Sequence, residues 1–250
     1  MLVIIYTLAS VTIVSLISLI GVFTLSINKK VLDRSVFFLV SLSVGALFGS
    51  AIIELIPEAF ASFENTTTAA FFIIVGILIL FILEKFLHWH HCHSNHGDSC
   101  NTVHPIGRIV LISDGIHNFL DGIIIGAAYL VSIEVGIATT IAIILHEIPQ
   151  EIGDFGILIH SGYTRARALF VNFLSALTAI LGAGVALFLG DISGKIIPTL
   201  IAIAAGSLIY IAGSDLIPEL HKTLDFRKSI IQFVAIVTGV ALIFSLTLFG

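Results

Sequence analysis

Two apolar stretches carry polar groups where a lipid-facing segment tolerates none: SDGIHNFLDGIIIG, from Ser113 to Gly126, and HEIPQEIGDFGILIH, from His146 to His160. At 3.6 residues per helical turn, His117 and Asp121 share one helix face, and Asn118 stands three before Asp121. In the second stretch His146 stands four before Gln150, with Glu147 three before it. Turned together, two such faces make a cage of imidazole, carboxylate and amide groups. An ionisable side chain in hydrocarbon is costly unless it is paired, wetted or bound to a cation, so its presence there points to function. A lone His reads as a structural hydrogen-bonding residue. Two His with carboxylates at matching depth, His117 to Asp121 on one segment and His146 to Glu151 on the other, read as a metal site.

The elements that must hold this site follow from composition. Of 250 residues, 58% are hydrophobic and 11% charged, and the mean hydropathy is +1.14. That excludes an ordinary soluble domain and indicates an integral membrane protein. A span of about 30 Å needs about 20 apolar residues, and eight such runs are expected, at about 4–27, 36–57, 68–88, 106–130, 135–160, 166–189, 197–218 and 229–249. The result is one all-α transmembrane domain over 1–250. Ten of the eleven Lys and Arg residues fall at alternate ends of these runs, Lys195 being the exception. The positive-inside rule makes those ends cytoplasmic and puts both termini outside. The first run has no basic start or small-residue cleavage site, so it is expected as a retained span rather than a signal peptide. Glu58, Glu64, Glu134 and Asp191 fall on the outer side as solvated loop charge.

Within this frame segment four runs outward and segment five inward, so their polar faces meet near the bilayer centre. Pro149 gives no N–H to the Leu145 carbonyl, which is expected to kink the helix and free that carbonyl inside the cavity. Gly115, Gly122, Gly126, Gly153 and Gly156 allow close helix approach. Asp114 lies one turn to the cytoplasmic side of His117 and Asp154 one turn inward of Gln150, which sketches an exit path. Asp215, Glu219 and His221 close the inner end of segment seven.

An internal repeat sets the outer architecture. ELIPEAF (Glu54–Phe60) ends segment two and DLIPELH (Asp215–His221) ends segment seven, and sliding one onto the other pairs Gly45 with Gly206, Leu47 with Leu208, Ala51 with Ala212 and Glu54 with Asp215. The two segments run in opposite directions, so the repeat is inverted, as in many secondary transporters that bind substrate at the repeat interface.

The one strongly polar stretch, HWHHCHSNHGDSCNTVH (His88–His104), gathers six of the ten His residues and both Cys. Residues 88–105 are expected as a cytoplasmic loop, in which reducing conditions keep Cys92 and Cys100 as thiols. His88, His90, His91, Cys92, His93 and His96 have no regular zinc-finger spacing, so they read as a flexible metal-gathering loop rather than a rigid structural site.

HNFLDG and HEIPQEIGDF together resemble the paired motifs of the ZIP (Zrt/Irt-like) divalent metal transporters, and the eight spans, outside termini, His-rich loop and repeat are similar to that family over the whole chain. The resemblance implies His117, Asn118 and Asp121 as ligands from span four and His146, Glu147 and Gln150 from span five, with Glu151 beside them. It implies adjacent metal positions bridged at Asp121 and at Gln150, and an elevator-like or rocking movement of the metal-carrying bundle. Many members carry His where this chain has Gln150, and a neutral amide is a weaker, non-bridging ligand, so one or two bound metals both stay open.

The expected function is therefore uptake of a divalent cation into the cytoplasm, with Zn2+ as the transported substrate and Fe2+, Mn2+, Co2+ or Cd2+ fitting the same groups. A cation-diffusion exporter is the rival, though such proteins have six spans and a soluble C-terminal domain. An intramembrane metalloprotease would need a second His where Gln150 stands. The partners expected are divalent metal ions and the lipid bilayer of a cell (inner) membrane, with a homodimer as one option and no nucleic acid.

Overall fold

A computed structural model of the chain describes residues 1–24, 28–91, 105–192 and 196–248, and among these it contains helices and no strand. Eight helical rods result. α1 (Leu2–Ile17) continues through a 3-10 turn, Ser18–Ile20, into Gly21–Thr24. α2 runs as Lys29–Gly49, loosens into a π-helical turn at Ser50–Leu55 and tightens again at Ile56–Ser62. α3 (Thr66–His91), α4 (Pro105–Val131) and α5 (Ile133–His160) are continuous. α6 comprises Arg165–Ala176 and Thr178–Ile192, interrupted at Leu177. α7 repeats the pattern of α2, with Ile197–Tyr210, a π-helical turn at Ile211–Leu216 and Ile217–His221, and α8 is Phe226–Thr247.

Seven of these rods are long and apolar enough to cross a membrane among the described residues. The eighth is α5. It is long enough at 28 residues, but Glu134, His146, Glu147, Gln150, Glu151 and Asp154 dilute its apolar character, so the helix richest in site residues is the one that looks least like a span.

Helix starts are fixed by side chains. Asn28 Oδ1 accepts from Lys30 N at 2.9 Å, Ser132 Oγ from Val135 N at 3.2 Å and Asp225 Oδ1 from Lys228 N at 3.0 Å, which satisfies orphan amides at the heads of α2, α5 and α8. These caps explain why α2 begins seven residues before the expected span: Asn28 starts the helix, and Lys30 and Arg34 can carry their charge to the interface. Ser132 alone separates α4 from α5, so the two helices of the expected site are neighbours. Gly162, at φ +91°, turns the chain between α5 and α6.

The carbonyl freed by Pro149 is placed differently from the expectation. α5 passes through Pro149 without interruption, and the Leu145 carbonyl that the missing N–H leaves free does not line a cavity: Ser43 Oγ of α2 lies 2.6 Å from it.

The repeat is visible in the packing. The π turn of α2 (Ser50–Leu55) and that of α7 (Ile211–Leu216) occupy the same register of the sequence alignment, each just before an Ile-Pro-Glu, and each packs against the other helix. Glycines seat the pairs around them. A Cβ on Gly45 of α2 would lie 2.0 Å from the Ile236 carbonyl oxygen of α8, and one on Gly239 of α8 would lie 2.2 Å from Leu42 O. The partners related by the repeat do the same: Gly206 of α7 would meet Ile73 O at 1.9 Å, and Gly76 of α3 would meet Ile203 O at 2.1 Å. A third reciprocal contact joins α4 to α6, where Gly122 would meet Ala179 O and Gly182 would meet Phe119 O, both at 1.9 Å. Backbone carbonyls cannot rotate aside, so only hydrogen fits. The core between these pairs is filled by Val11, Leu47, Ile125, Ile143, Ile201 and Leu208.

Gly206→Ala should therefore force α3 and α7 apart and lower the thermal midpoint of the detergent-purified protein sharply. Gly184→Ala, where nothing lies within 4 Å, should leave stability unchanged or raise it by about 0.5–1 kcal/mol through helix propensity. Thermal unfolding of the two variants side by side checks the contrast.

Candidate metal centre

α4 presents His117 and Asp121, four residues apart on one face, and α5 presents His146 and Glu147. Their nearest ligand atoms all lie within 4.8 Å of one another. His117 Nε2 is 3.1 Å from His146 Nε2, 3.7 Å from Asp121 Oδ2 and 3.4 Å from Glu147 Oε1. His146 Nε2 is 3.3 Å from Asp121 Oδ2 and 3.4 Å from Glu147 Oε1. Asp121, His146 and Glu147 are at most 1% exposed, whereas His117 keeps 16% and forms the open side of the cluster.

The electrostatics of this arrangement are unbalanced. Neither oxygen of Asp121 and neither oxygen of Glu147 accepts a hydrogen bond of good geometry, although all four are buried. Buried carboxylates without donors or a counter-charge are among the most costly groups a protein can hold. His146 Nδ1 lies 3.5 Å from the Ala142 carbonyl. A proton on that nitrogen leaves the Nε2 lone pair facing the cluster.

The ligand spacing fits a metal. Four donors at 2.0–2.1 Å around a tetrahedral zinc stand about 3.3 Å from one another, and the five separations above run from 3.1 to 3.7 Å. Two imidazole nitrogens and two carboxylate oxygens suit zinc and its first-row neighbours better than calcium or magnesium, which prefer oxygen alone.

The other expected residues are placed differently. Asn118 turns its amide nitrogen back to Asp114, 2.8 Å from Oδ1 and 3.2 Å from the carbonyl, leaving its own Oδ1 buried without a donor. Gln150, one turn past His146, is half-buried. Glu151 is fully buried and stands apart from the four-residue cluster, held by Asn172 of α6. Asp114 is buried and accepts from Ser175 and Asn118, Asp154 is half-buried, and Glu219 and His221 are exposed, with Glu219 paired to Lys222. A cavity of about 380 Å³ between α2, α5 and α7 is lined by Val40, Pro149, Gly153 and Glu219. Cys92, His93 and His96 lie outside the described residues, as do the side chains of His88, His90, His91 and Asp215. The backbone of α3 continues through His91, so the first part of the His-rich stretch is helical.

Comparison with known proteins agrees with the motifs. The sequence model of the family described as ZIP Zinc transporter matches residues 1–106 and 88–247. Metal cation symporter ZIP14 of Xenopus tropicalis is 30% identical across 98% of this chain and 69% of its own length. Metal cation symporter ZIP8 is 29% identical across 98% of this chain in both Rattus norvegicus and Homo sapiens, over 71% and 70% of those proteins.

Sequence reasoning assigned no site role to α6 or to Glu54 in the π turn of α2. Asn172 and Ser175, both buried, hold Glu151 and Asp114, and Asn172 also reaches the Ser18 carbonyl at 3.4 Å. The break at Leu177 is tied down by hydroxyls: Ser15 Oγ donates to Ala176 O at 2.8 Å, and Thr178 Oγ1 lies 2.6 Å from Gly115 O and 2.7 Å from Ser175 O. In the π turn of α2, buried Glu54 lies 3.3 Å from Ser50 Oγ, itself 3.2 Å from Thr139 Oγ1 of α5. The signal was present as polar residues three apart, Asn172 and Ser175, in an otherwise apolar run. Asn172→Leu keeps the branched shape of the side chain and removes the donor to Glu151, and should destabilise the protein by about 1–3 kcal/mol, seen as a lower thermal midpoint in detergent.

Proposed function

Because this chain belongs to the ZIP zinc transporter family, and is thus a transporter of metal cations embedded in a membrane rather than an enzyme, we propose that its cargo is zinc, moved toward the cytoplasm through a stop at His117, Asp121, His146 and Glu147. The observation that carries this reading is that one oxygen each of buried Asp121 and Glu147, neither of which accepts a hydrogen bond of good geometry, faces two imidazole nitrogens at separations of 3.1 to 3.7 Å. A divalent cation supplies the charge that Asp121 and Glu147 lack. With the ion bound, His117 and His146 contribute neutral nitrogens and the two carboxylates cancel its charge.

The direction rests on the distribution of charge. Lys and Arg cluster at the ends that the positive-inside rule makes cytoplasmic, which puts both termini outside the cell membrane. On that side lie Asp114, Glu151 and Asp154, then the cavity lined by Pro149, Gly153 and Glu219. Metal leaving the cluster meets carboxylates already held by Asn118, Ser175 and Asn172, so each step exchanges one oxygen ligand for another. The His-rich stretch over 88–105 then gathers the ion in the cytoplasm. Asn118, Gln150 and Glu151 serve this passage as neighbours of the primary site, and a single metal fills it.

Movement follows the packing. Glycine contacts fuse α2 with α8 and α3 with α7, and separately α4 with α6, while α1 lies against α4, α5 and α6. The metal-bearing group α1, α4, α5 and α6 shifts as a body against the other four helices.

Purified protein in liposomes should accumulate zinc, and His146→Ala should cut the initial rate about tenfold or more, since even loss of a group that only supports a metal ligand costs about that much, while the variant keeps the wild-type thermal midpoint or exceeds it. Equal uptake by the variant would refute the site.

A further inference from the structure

Pro149 sits in the second turn of α5 that carries site residues, two residues after Glu147. It has no N–H, so the Leu145 carbonyl, immediately before His146, receives no bond from the position four residues on. Ser43 Oγ of α2 lies 2.6 Å from that carbonyl and 2.7 Å from Leu39 O. A hydroxyl has one proton. Leu39 O already accepts the backbone N–H of Ser43 in the helix ladder of α2, whereas Leu145 O has no such donor from its own helix. The hydroxyl of Ser43, itself fully buried, therefore donates to the Leu145 carbonyl.

We infer that Ser43 is a positioning residue for the metal centre: its hydroxyl substitutes for the N–H that Pro149 lacks and pins the backbone of α5 at the residue preceding His146 and Glu147. The inference rests on the proposed site. The pin joins the metal-bearing group of helices to the other group, because α2 is fused to α8 and α5 lies beside α4. The second hydroxyl contact across the same boundary, Ser50 to Thr139 at 3.2 Å, lies two turns away on each helix. Movement of α5 along α2 must release Leu145 O, and until another donor arrives that carbonyl is left without one. Ser43 thus both sets the depth of His146 and Glu147 and favours the conformation described here.

Ser43 and Pro149, both outside the ligand cluster, should therefore be coupled in their effect on it. Ser43→Ala removes the surrogate donor; Pro149→Ala restores the backbone N–H and makes the surrogate unnecessary. Zinc binding is measured on the full chain in detergent, and the part due to the centre is taken as the part that His146→Ala abolishes. Ser43→Ala should weaken that part roughly tenfold, the order expected when one buried carbonyl loses its donor, and Ser43→Ala combined with Pro149→Ala should bind as Pro149→Ala does alone. If Ser43→Ala fails to fold, the double variant should fold again. Wild-type zinc binding by Ser43→Ala, simple addition of the two effects, or a double variant that also fails to fold would each overturn the inference. If His146→Ala abolishes no zinc binding, the proposed site itself falls, which separates that failure from this one.

Discussion

The interaction on which the structure depends is the confrontation of Asp121 and Glu147 in an interior where their oxygens accept no hydrogen bond of good geometry and face only the imidazoles of His117 and His146. Elsewhere the buried carboxylates are attended to: Asp114 by Ser175 and Asn118, Glu151 by Asn172, Glu54 by Ser50. Among the described residues Glu151 keeps one oxygen without a partner, but at the centre both oxygens of both carboxylates lack one and face two imidazoles. In water such a cluster would be unremarkable; in an apolar bundle it is unfavourable unless a cation enters. The fold accepts that cost because α4 and α5, joined through a single residue, have little freedom to turn their polar faces apart.

Around the centre, the backbone departs from regular helix wherever a polar side chain or a repeat-related partner can compensate. The π turns of α2 and α7 stand in corresponding places, each ahead of a proline, and π turns recur at functional sites. α6 breaks at Leu177, where Ser15 and Thr178 occupy carbonyls of the turn. α5 passes Pro149 because Ser43 stands beside it. The regular parts, by contrast, are held by glycine against carbonyl, which permits close approach and no sliding apart. Rigid pairs with hydroxyl contacts between them describe a bundle able to move in blocks.

Much of this could be read from the residues alone. Eight apolar runs, the ELIPEAF and DLIPELH repeat and the His117–Asp121 and His146–Glu147 pairs all follow from period and composition, because charged groups inside long apolar helices are rare and helical spacing is strict. What could not be read was depth to within a turn. Gln150 and Glu151 continue the face of His146 and Glu147 by sequence, yet Glu151 turns to α6, since the axial register between two helices is a property of their packing. Asn172, Ser175 and Ser43 were missed for a related reason: a single hydroxyl or amide in a span is ordinary, and its meaning comes only from the carboxylate or carbonyl opposite. The fate of the carbonyl that Pro149 leaves free could not be read either, because the donor that meets it comes from a helix about a hundred residues away.

The central claim is that one metal ion sits between α4 and α5 with two imidazoles and two carboxylates. X-ray absorption at the zinc edge on protein loaded with one equivalent tests it most directly. Nitrogen and oxygen scatterers are expected at about 2.0–2.1 Å, with the outer-shell signature of two imidazoles and no sulfur, and that environment should be lost when His117 and His146 are both replaced by Ala. A sulfur shell at about 2.3 Å, which would put the ion on Cys92 or Cys100, or a spectrum unchanged by the double replacement, would contradict it.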